Sequence, residues 1–209
     1  MVKSTVITIG RQYGSGGRDV GIELARREGI PYYDKELLVK AAKDSGLSEG
    51  VFEDFDEKPK RLLYAMAMDP YSFGYTSGPA DQVGTDVEAA FDHAIKEVAA
   101  EGPCVIIGRC ADYVLQEYDK VMRIFLYSPL ETRVKVVMAR ENLAEEDARK
   151  KIRKIDKERA SYYNFYTSQK WNDMGSYDVC LNTGLFKIDD TVSIIQDILS
   201  HQDRPVDER

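Results

Sequence analysis

A β-branched run, Val6-Ile7-Thr8-Ile9, enters a stretch with glycines at 10, 14, 16, 17 and 21, and the apolar residues Val20, Ile22, Leu24 and Ala25 then follow at helical spacing. Strand, glycine-rich turn and helix in immediate succession confine the chain to α/β architectures. The glycines at 14, 16 and 17 let the backbone curl so that successive N–H groups face one concavity, and the helix that opens there adds the positive end of its dipole. Such a turn is an anion cradle, and its natural occupant is phosphate.

The spelling departs from the usual phosphate loop, Gly-x-x-x-x-Gly-Lys-Ser/Thr. With Gly16 as the second glycine, Arg11 stands for the first, Gly17 for the lysine and Arg18 for the hydroxyl residue. A dinucleotide fingerprint fits Gly14 and Gly16 but puts the third glycine at Gly21, two places late, and Asp34 comes early for a ribose-binding acid. The residues expected to hold phosphate are Gly14, Ser15, Gly16, Gly17, Arg18 and Asp19.

Further along, Gly29 stops the first helix, and Ile30 to Asp34 form a short second strand. A helix is expected over Lys35–Ala42, and then the pattern degrades. Between about 52 and 86, aromatic, glycine, proline and acidic residues mix without a period, as a substrate-side insertion would. Val87 to Ala99 carry a clean 3.6-residue stripe closed by Gly102. His93 has no histidine or cysteine partner at ligand spacing and reads as a surface residue.

Cys104 to Gly108 form an apolar run of the kind buried on both faces of a parallel sheet. Arg123 to Tyr127 read as a fourth strand, and Ser128-Pro129-Leu130-Glu131 as a capping box with proline at the first helical position. A charged helix is expected from Asn142 to Glu158. Tyr177 to Asn182 read as the last strand, Ile188 to Leu199 as the closing helix, and 201–209 as a polar tail. The expected fold is a three-layer α/β domain over residues 1–209, a five-stranded parallel sheet flanked by helices.

In such sheets ligands bind beyond the carboxyl ends of the strands. The glycine turn, Asp34, Arg109 and Asn182-Thr183 all fall there. Phosphoryl transfer asks for cations around the migrating group and an acceptor held in line. Arg18 can take two phosphate oxygens at once, and Arg109 can hold the phosphate of an acceptor. Arg153, Asp156 and Arg159 share one helical face that could close over the phosphates, with an exposed ion-pair ladder as the competing reading. Tyr162, Tyr163, Phe165, Tyr166 and Trp171 read as packing rather than a platform for a base.

The 209 residues, 43% of them hydrophobic, suffice for one well-filled core. A net charge of −7 disfavours a nucleic-acid partner. Three cysteines, Cys104, Cys110 and Cys180, without a Cys-x-x-Cys pair, read as buried thiols in a reducing compartment. No apolar run approaches the roughly eighteen residues of a membrane span. A cytoplasmic location is expected, with a homo-oligomer left open.

Four segments together carry a family resemblance: Arg11-Gln12-Tyr13-Gly14-Ser15-Gly16-Gly17-Arg18, Tyr32-Tyr33-Asp34-Lys35-Glu36-Leu37-Leu38, Gly108-Arg109-Cys110-Ala111-Asp112, and Asp156-Lys157-Glu158-Arg159-Ala160-Ser161-Tyr162-Tyr163. The chain resembles the cytidylate kinase-like family of P-loop nucleoside monophosphate kinases. That resemblance implies a P-loop NTPase fold, ATP and Mg²⁺ at the glycine turn, and a CMP-like acceptor near Asp34, Gly108, Arg109 and Asp112. It also implies an arginine-bearing helical lid over about 140–163, with Arg140 and Asp156 on it; Arg18, Arg153 and Arg159 are the candidate catalytic cations. Gly17 and Arg18 depart from the lysine and hydroxyl of true cytidylate kinases, so Mg²⁺ loses a ligand and Arg18 is the candidate to replace the lysine. A kinase of CMP or dCMP, a binding module with little or no turnover, and a kinase of a non-nucleotide small molecule are the three readings the sequence leaves.

Overall fold

In the computed structural model of the protein, the structure describes residues 5–34 and 79–201, the side chains of 79–87 aside. The elements are β1 (Val6–Arg11), α1 (Gly17–Glu28), β2 (Tyr32–Tyr33), α2 (Pro79–Glu101), β3 (Val105–Ile107), α3 (Ala111–Val114), β4 (Val121–Tyr127), α4 (Leu130–Glu141), α5 (Glu145–Thr167), β5 (Val179–Asn182) and α6 (Ile188–Ser200). The strands form one five-stranded sheet in the order β2-β3-β1-β4-β5, with every pairing parallel. Ile7 faces Val105 across one ladder and Met122 across the other, which puts the first strand at the centre.

The period of two along the strands sends alternate residues to opposite faces. On one face Ile7, Ile9, Val105, Ile107, Ile124 and Leu126 pack under Val20 and Leu24 of α1 and Val192 and Ile195 of α6. On the other, Val6, Ile106 and Val121 meet Phe91, Ala94, Ile95 and Val98 of α2. These are the three layers expected from the sequence, and the central strand is buried on both sides. A further cluster joins Val134 and Val137 of α4 to Ala148 and Ile152 of α5.

Several boundaries differ from the sequence reading. The second strand shrinks to Tyr32–Tyr33, where only two residues pair with β3. Helix α2 starts at Pro79, inside the segment read as a loop; the rest of that segment and the helix expected over 35–42 lie outside the described residues. The charged helix runs on to Thr167 and takes in the tyrosines read as following it. Its inward stripe of Ala148, Ile152, Tyr163 and Thr167 carries the period through the charged stretch.

The capping box is not formed. Pro129, not Ser128, is the cap of α4, and no side chain caps it. The Ser128 N–H donates instead to Oε1 of Gln12 at 3.1 Å. Glu131, expected to reach back to that N–H, pairs with Arg149. An acceptor from the glycine turn therefore satisfies the helix start that a local glutamate would otherwise serve.

Candidate active site

Strand β1 delivers the chain to the carboxyl edge of the sheet, where the Gln12 N–H still pairs with the Leu126 carbonyl at 3.0 Å. The backbone then turns through Gly14 at φ 79° and Gly16 at φ 76°, the left-handed region that favours glycine. Gly16 caps α1 with no side chain bonded across the helix start, and a Cβ built there meets nothing within 4 Å. Among the described residues, no hydrogen bond across the turn engages the amides of Gly14, Gly16, Gly17, Arg18 or Asp19. A helix N-terminus with free amides, no competing cap and open space before it is suited to an anion.

Ser15 shapes the turn with its side chain. It is buried, and its hydroxyl donates to the Gln12 carbonyl at 2.9 Å. The Thr183 hydroxyl, just past β5, lies 2.7 Å from the Ser15 carbonyl oxygen and 3.0 Å from that of Tyr127. Asp19 is exposed in the first turn of α1.

A side-chain latch holds the entry to the turn. Asp156 accepts the Tyr13 N–H on Oδ1 at 2.8 Å and the Arg133 guanidinium on Oδ2 at 2.5 Å. Arg133, buried in α4, also donates to the carbonyls of Ser128 at 2.9 Å and Tyr13 at 3.1 Å. Arg159 donates to the Arg11 carbonyl at 2.9 Å, and burial pushes its pKa down. The guanidinium groups of Arg140 and Arg159 flank the Tyr13 ring at 5.0 and 5.7 Å. The Tyr13 hydroxyl bonds Glu141, which also pairs with Lys151 at 2.5 Å.

Asp156, Arg159 and Arg140 thus converge on the glycine turn, as part of its support. Arg153, expected beside them, is exposed and makes no ion pair among the described residues. The sequence reading missed Arg133, Gln12 and Tyr13. A signal existed for Arg133, since Leu130, Arg133 and Val137 fall on the inward side of α4 at helical spacing.

On the acceptor side Arg18 donates through Nε to Oδ2 of Asp34 at 2.8 Å, so the cation at the turn and the carboxylate ending β2 form one unit. That hydrogen bond raises the Arg18 pKa. Beyond β3 the chain passes through three successive left-handed residues, Gly108, Arg109 and Cys110, at φ 79°, 59° and 52°. The two with side chains cost roughly 1–2 kcal/mol each, the kind of strain that gathers at functional sites. A Cβ on Gly108 would stand 2.0 Å from Nη1 of Arg11, whose side chain crosses from the glycine turn to this loop. Arg109 lies over the Phe91 ring at 5.0 Å.

Asp112 does not join this edge. It is buried, with Oδ2 accepting the Tyr163 hydroxyl at 2.6 Å, and burial raises its pKa against that bond. Tyr113, Tyr162 and Tyr166 pack together beside it with Trp171, so these rings are packing as read from the sequence, whereas Phe165 is exposed. Cys104 and Cys110 are buried free thiols, and burial pushes the Cys104 pKa up to about 12. His93 is exposed, 3.5 Å from Glu97.

The residues at the turn do not fit a P-loop magnesium ion. The hydroxyl position carries a guanidinium, which has no lone pair to offer a metal. The Ser15 hydroxyl is buried against Gln12, and Asp34 is paired with Arg18. No cluster of three or more His, Cys, Asp or Glu suited to a metal occurs among the described residues. None of the described helices is long and apolar enough to cross a membrane.

The family model described as cytidylate kinase-like matches residues 6–185. The cytidylate kinase of Methanopyrus kandleri is 28% identical over 202 residues, 92% of each chain. That of Pyrococcus horikoshii is 25% identical over 200 residues, 95% of this chain and 90% of its own. Among solved structures, an uncharacterized protein from Eubacterium ventriosum superposes with a TM-score of 0.72 at 28% identity, covering 95% of this chain and 99% of the other. A shikimate kinase from Bacteroides thetaiotaomicron gives 0.54 at 16% identity, covering 94% and 98%, a likeness of fold alone.

Proposed function

Because this chain belongs to the cytidylate kinase-like family, we propose that it transfers a phosphoryl group from ATP to a nucleoside monophosphate, with CMP or dCMP as acceptor. Membership supports nucleotide kinase activity in general; the acceptor is our own reading. The observation that carries it is the uncapped glycine turn, its amides open, with Arg18 on the neighbouring helix and Arg109 on the neighbouring strand exit.

In this reaction the bond between the γ-phosphorus and the β,γ-bridging oxygen breaks. A bond forms from the γ-phosphorus to an oxygen of the acceptor's phosphate, giving ADP and a nucleoside diphosphate. The amides of Gly14 and of residues 16–19 hold the donor's oxygens, Arg18 faces the charge spread over the migrating group, and Arg109 holds the acceptor's phosphate. Leu185 and Phe186, exposed shortly after Thr183, offer a base an apolar surface.

The carboxylates favour a phosphate acceptor over a hydroxyl one. A hydroxyl must lose a proton as it attacks, whereas a phosphate monoester, with a second pKa near about 6, is already largely ionised at neutral pH. Asp112 is turned into the core and Asp34 is committed to Arg18, so the carboxylates first expected on the acceptor side are engaged elsewhere.

Incubation with ATP, Mg²⁺ and a panel of nucleoside monophosphates, followed by chromatography for diphosphates, tests the proposal. CDP or dCDP should form fastest. ATP raising the melting temperature with no diphosphate formed would make this a binding module, and phosphorylation of a non-nucleotide alcohol alone would refute the acceptor class.

A further inference from the structure

Phosphate loops set a Ser or Thr hydroxyl on the nucleotide's magnesium ion. Here that position is Arg18, and its Nε–H is fixed on Oδ2 of Asp34 at 2.8 Å. The two ends of the pair differ in setting. The Asp34 side chain is 11% exposed and anchors the pair, while the Arg18 side chain is 52% exposed and reaches outward. Among the described residues the terminal nitrogens of Arg18 make no hydrogen bond, so the fork that suits paired phosphate oxygens stays open.

We propose that Arg18, oriented by Asp34, stands in for the hydroxyl-bound magnesium ion, so that the turn holds a nucleotide's phosphates without a divalent cation. The guanidinium remains charged at every pH where the protein is folded. It sits beside a helix N-terminus that is already electropositive, so a divalent ion at the hydroxyl's usual place would meet repulsion from both. Asp34 acts as a positioning residue: its carboxylate holds Nε, which leaves the rest of the fork to the phosphate. The inference rests on reading the turn as the nucleotide's phosphate site.

Calorimetric titration of ATP, once with excess EDTA and once with excess Mg²⁺, separates the two claims. For the wild type the two dissociation constants should agree within about threefold. Arg18→Thr, which restores the hydroxyl at an exposed helical position, should weaken binding in EDTA by about tenfold or more and recover much of it with Mg²⁺. Asp34→Ala, which removes the acceptor of Nε, should weaken binding in EDTA to a lesser degree, with the arginine still present but no longer aimed.

Wild-type binding tenfold or more tighter with Mg²⁺ would overturn the inference and leave the nucleotide site standing. So would an Arg18→Thr variant indifferent to the metal. No heat from ATP under either condition would remove the phosphate site, and the inference with it. Circular dichroism of both variants guards against loss of fold.

Discussion

The two halves of the carboxyl edge are built from opposite materials. At the glycine turn, charged side chains hold main-chain atoms: Asp156 takes the Tyr13 N–H, Arg133 the Tyr13 and Ser128 carbonyls, and Arg159 the Arg11 carbonyl. At the exit of β3 the main chain itself is coiled left-handed, and aromatic rings surround it. The difference follows from what each half presents. A surface of free amides needs its backbone fixed from behind, without side chains in front, whereas Arg109 needs only a rigid base and a ring to lie on.

The sharpest way to break the contrast is Asp156→Ala. It strips the buried Arg133 of its carboxylate and leaves the Tyr13 amide unpaired, so we expect a loss of about 3 kcal/mol, or a fall of about 6–12 °C in melting temperature for a domain of this size. ATP affinity should drop as well, because the turn loses its backing. Calorimetry and thermal denaturation check both.

Arg109→Ala probes the other half. Loss of a charge-assisted contact to the acceptor's phosphate should raise KM for CMP by about 10- to 100-fold, with ATP affinity unchanged in direct titration. If instead ATP affinity falls and KM for CMP holds, the assignment of the two halves is reversed.

A smaller effect lies behind the turn, at Glu141. Burial opposes its ionisation, but hydrogen bonds from Lys151, Tyr13 and Arg140 outweigh it and hold the pKa at about 2. The folded state thus favours the carboxylate, below a free glutamate's pKa of about 4.3. Its stabilisation is complete above about pH 5 and is lost as pH falls toward 2. In Glu141→Gln that acid-linked loss, about 1 kcal/mol after solvent screening, should be absent from the pH dependence of urea denaturation.

Smallest of all should be Asp112→Asn. Burial raises this carboxyl's pKa, so the folded state favours its neutral form, and its contribution to stability falls as pH rises through the folded value. A neutral amide can still accept the Tyr163 hydroxyl, so stability at pH 7 should change by less than about 1 kcal/mol. A large loss would mean that the charge of Asp112 is itself required.

The layers were legible because they rest on local chemistry. β-branched residues at 6–9, an apolar run at 104–107 and glycines at 14 and 16 state their conformations within a few residues. Sequence also brought Arg18, Asp34, Arg109 and Thr183 to one edge, since each follows a strand. What it did not reveal was pairing across long separations: Asp156 reaches Tyr13 from 143 residues away, and no local rule links them. Asp156 follows Ile152 of the inward stripe by four residues, but its face read equally as a cover over phosphates or as an exposed ion-pair ladder. Asp112 follows a strand exit as a ligand-binding acid would, and its burial beneath Tyr163 was not legible from that place.

The central claim is that main-chain amides at the head of α1 hold a nucleotide's phosphates. Amide resonances of ¹⁵N-labelled protein titrated with ATP, and separately with adenosine, test it most directly. We expect the largest shifts at Gly14, Gly16, Gly17 and Arg18 with ATP and almost none there with adenosine. Equal shifts with both ligands, or ATP shifts confined to other segments, would contradict it.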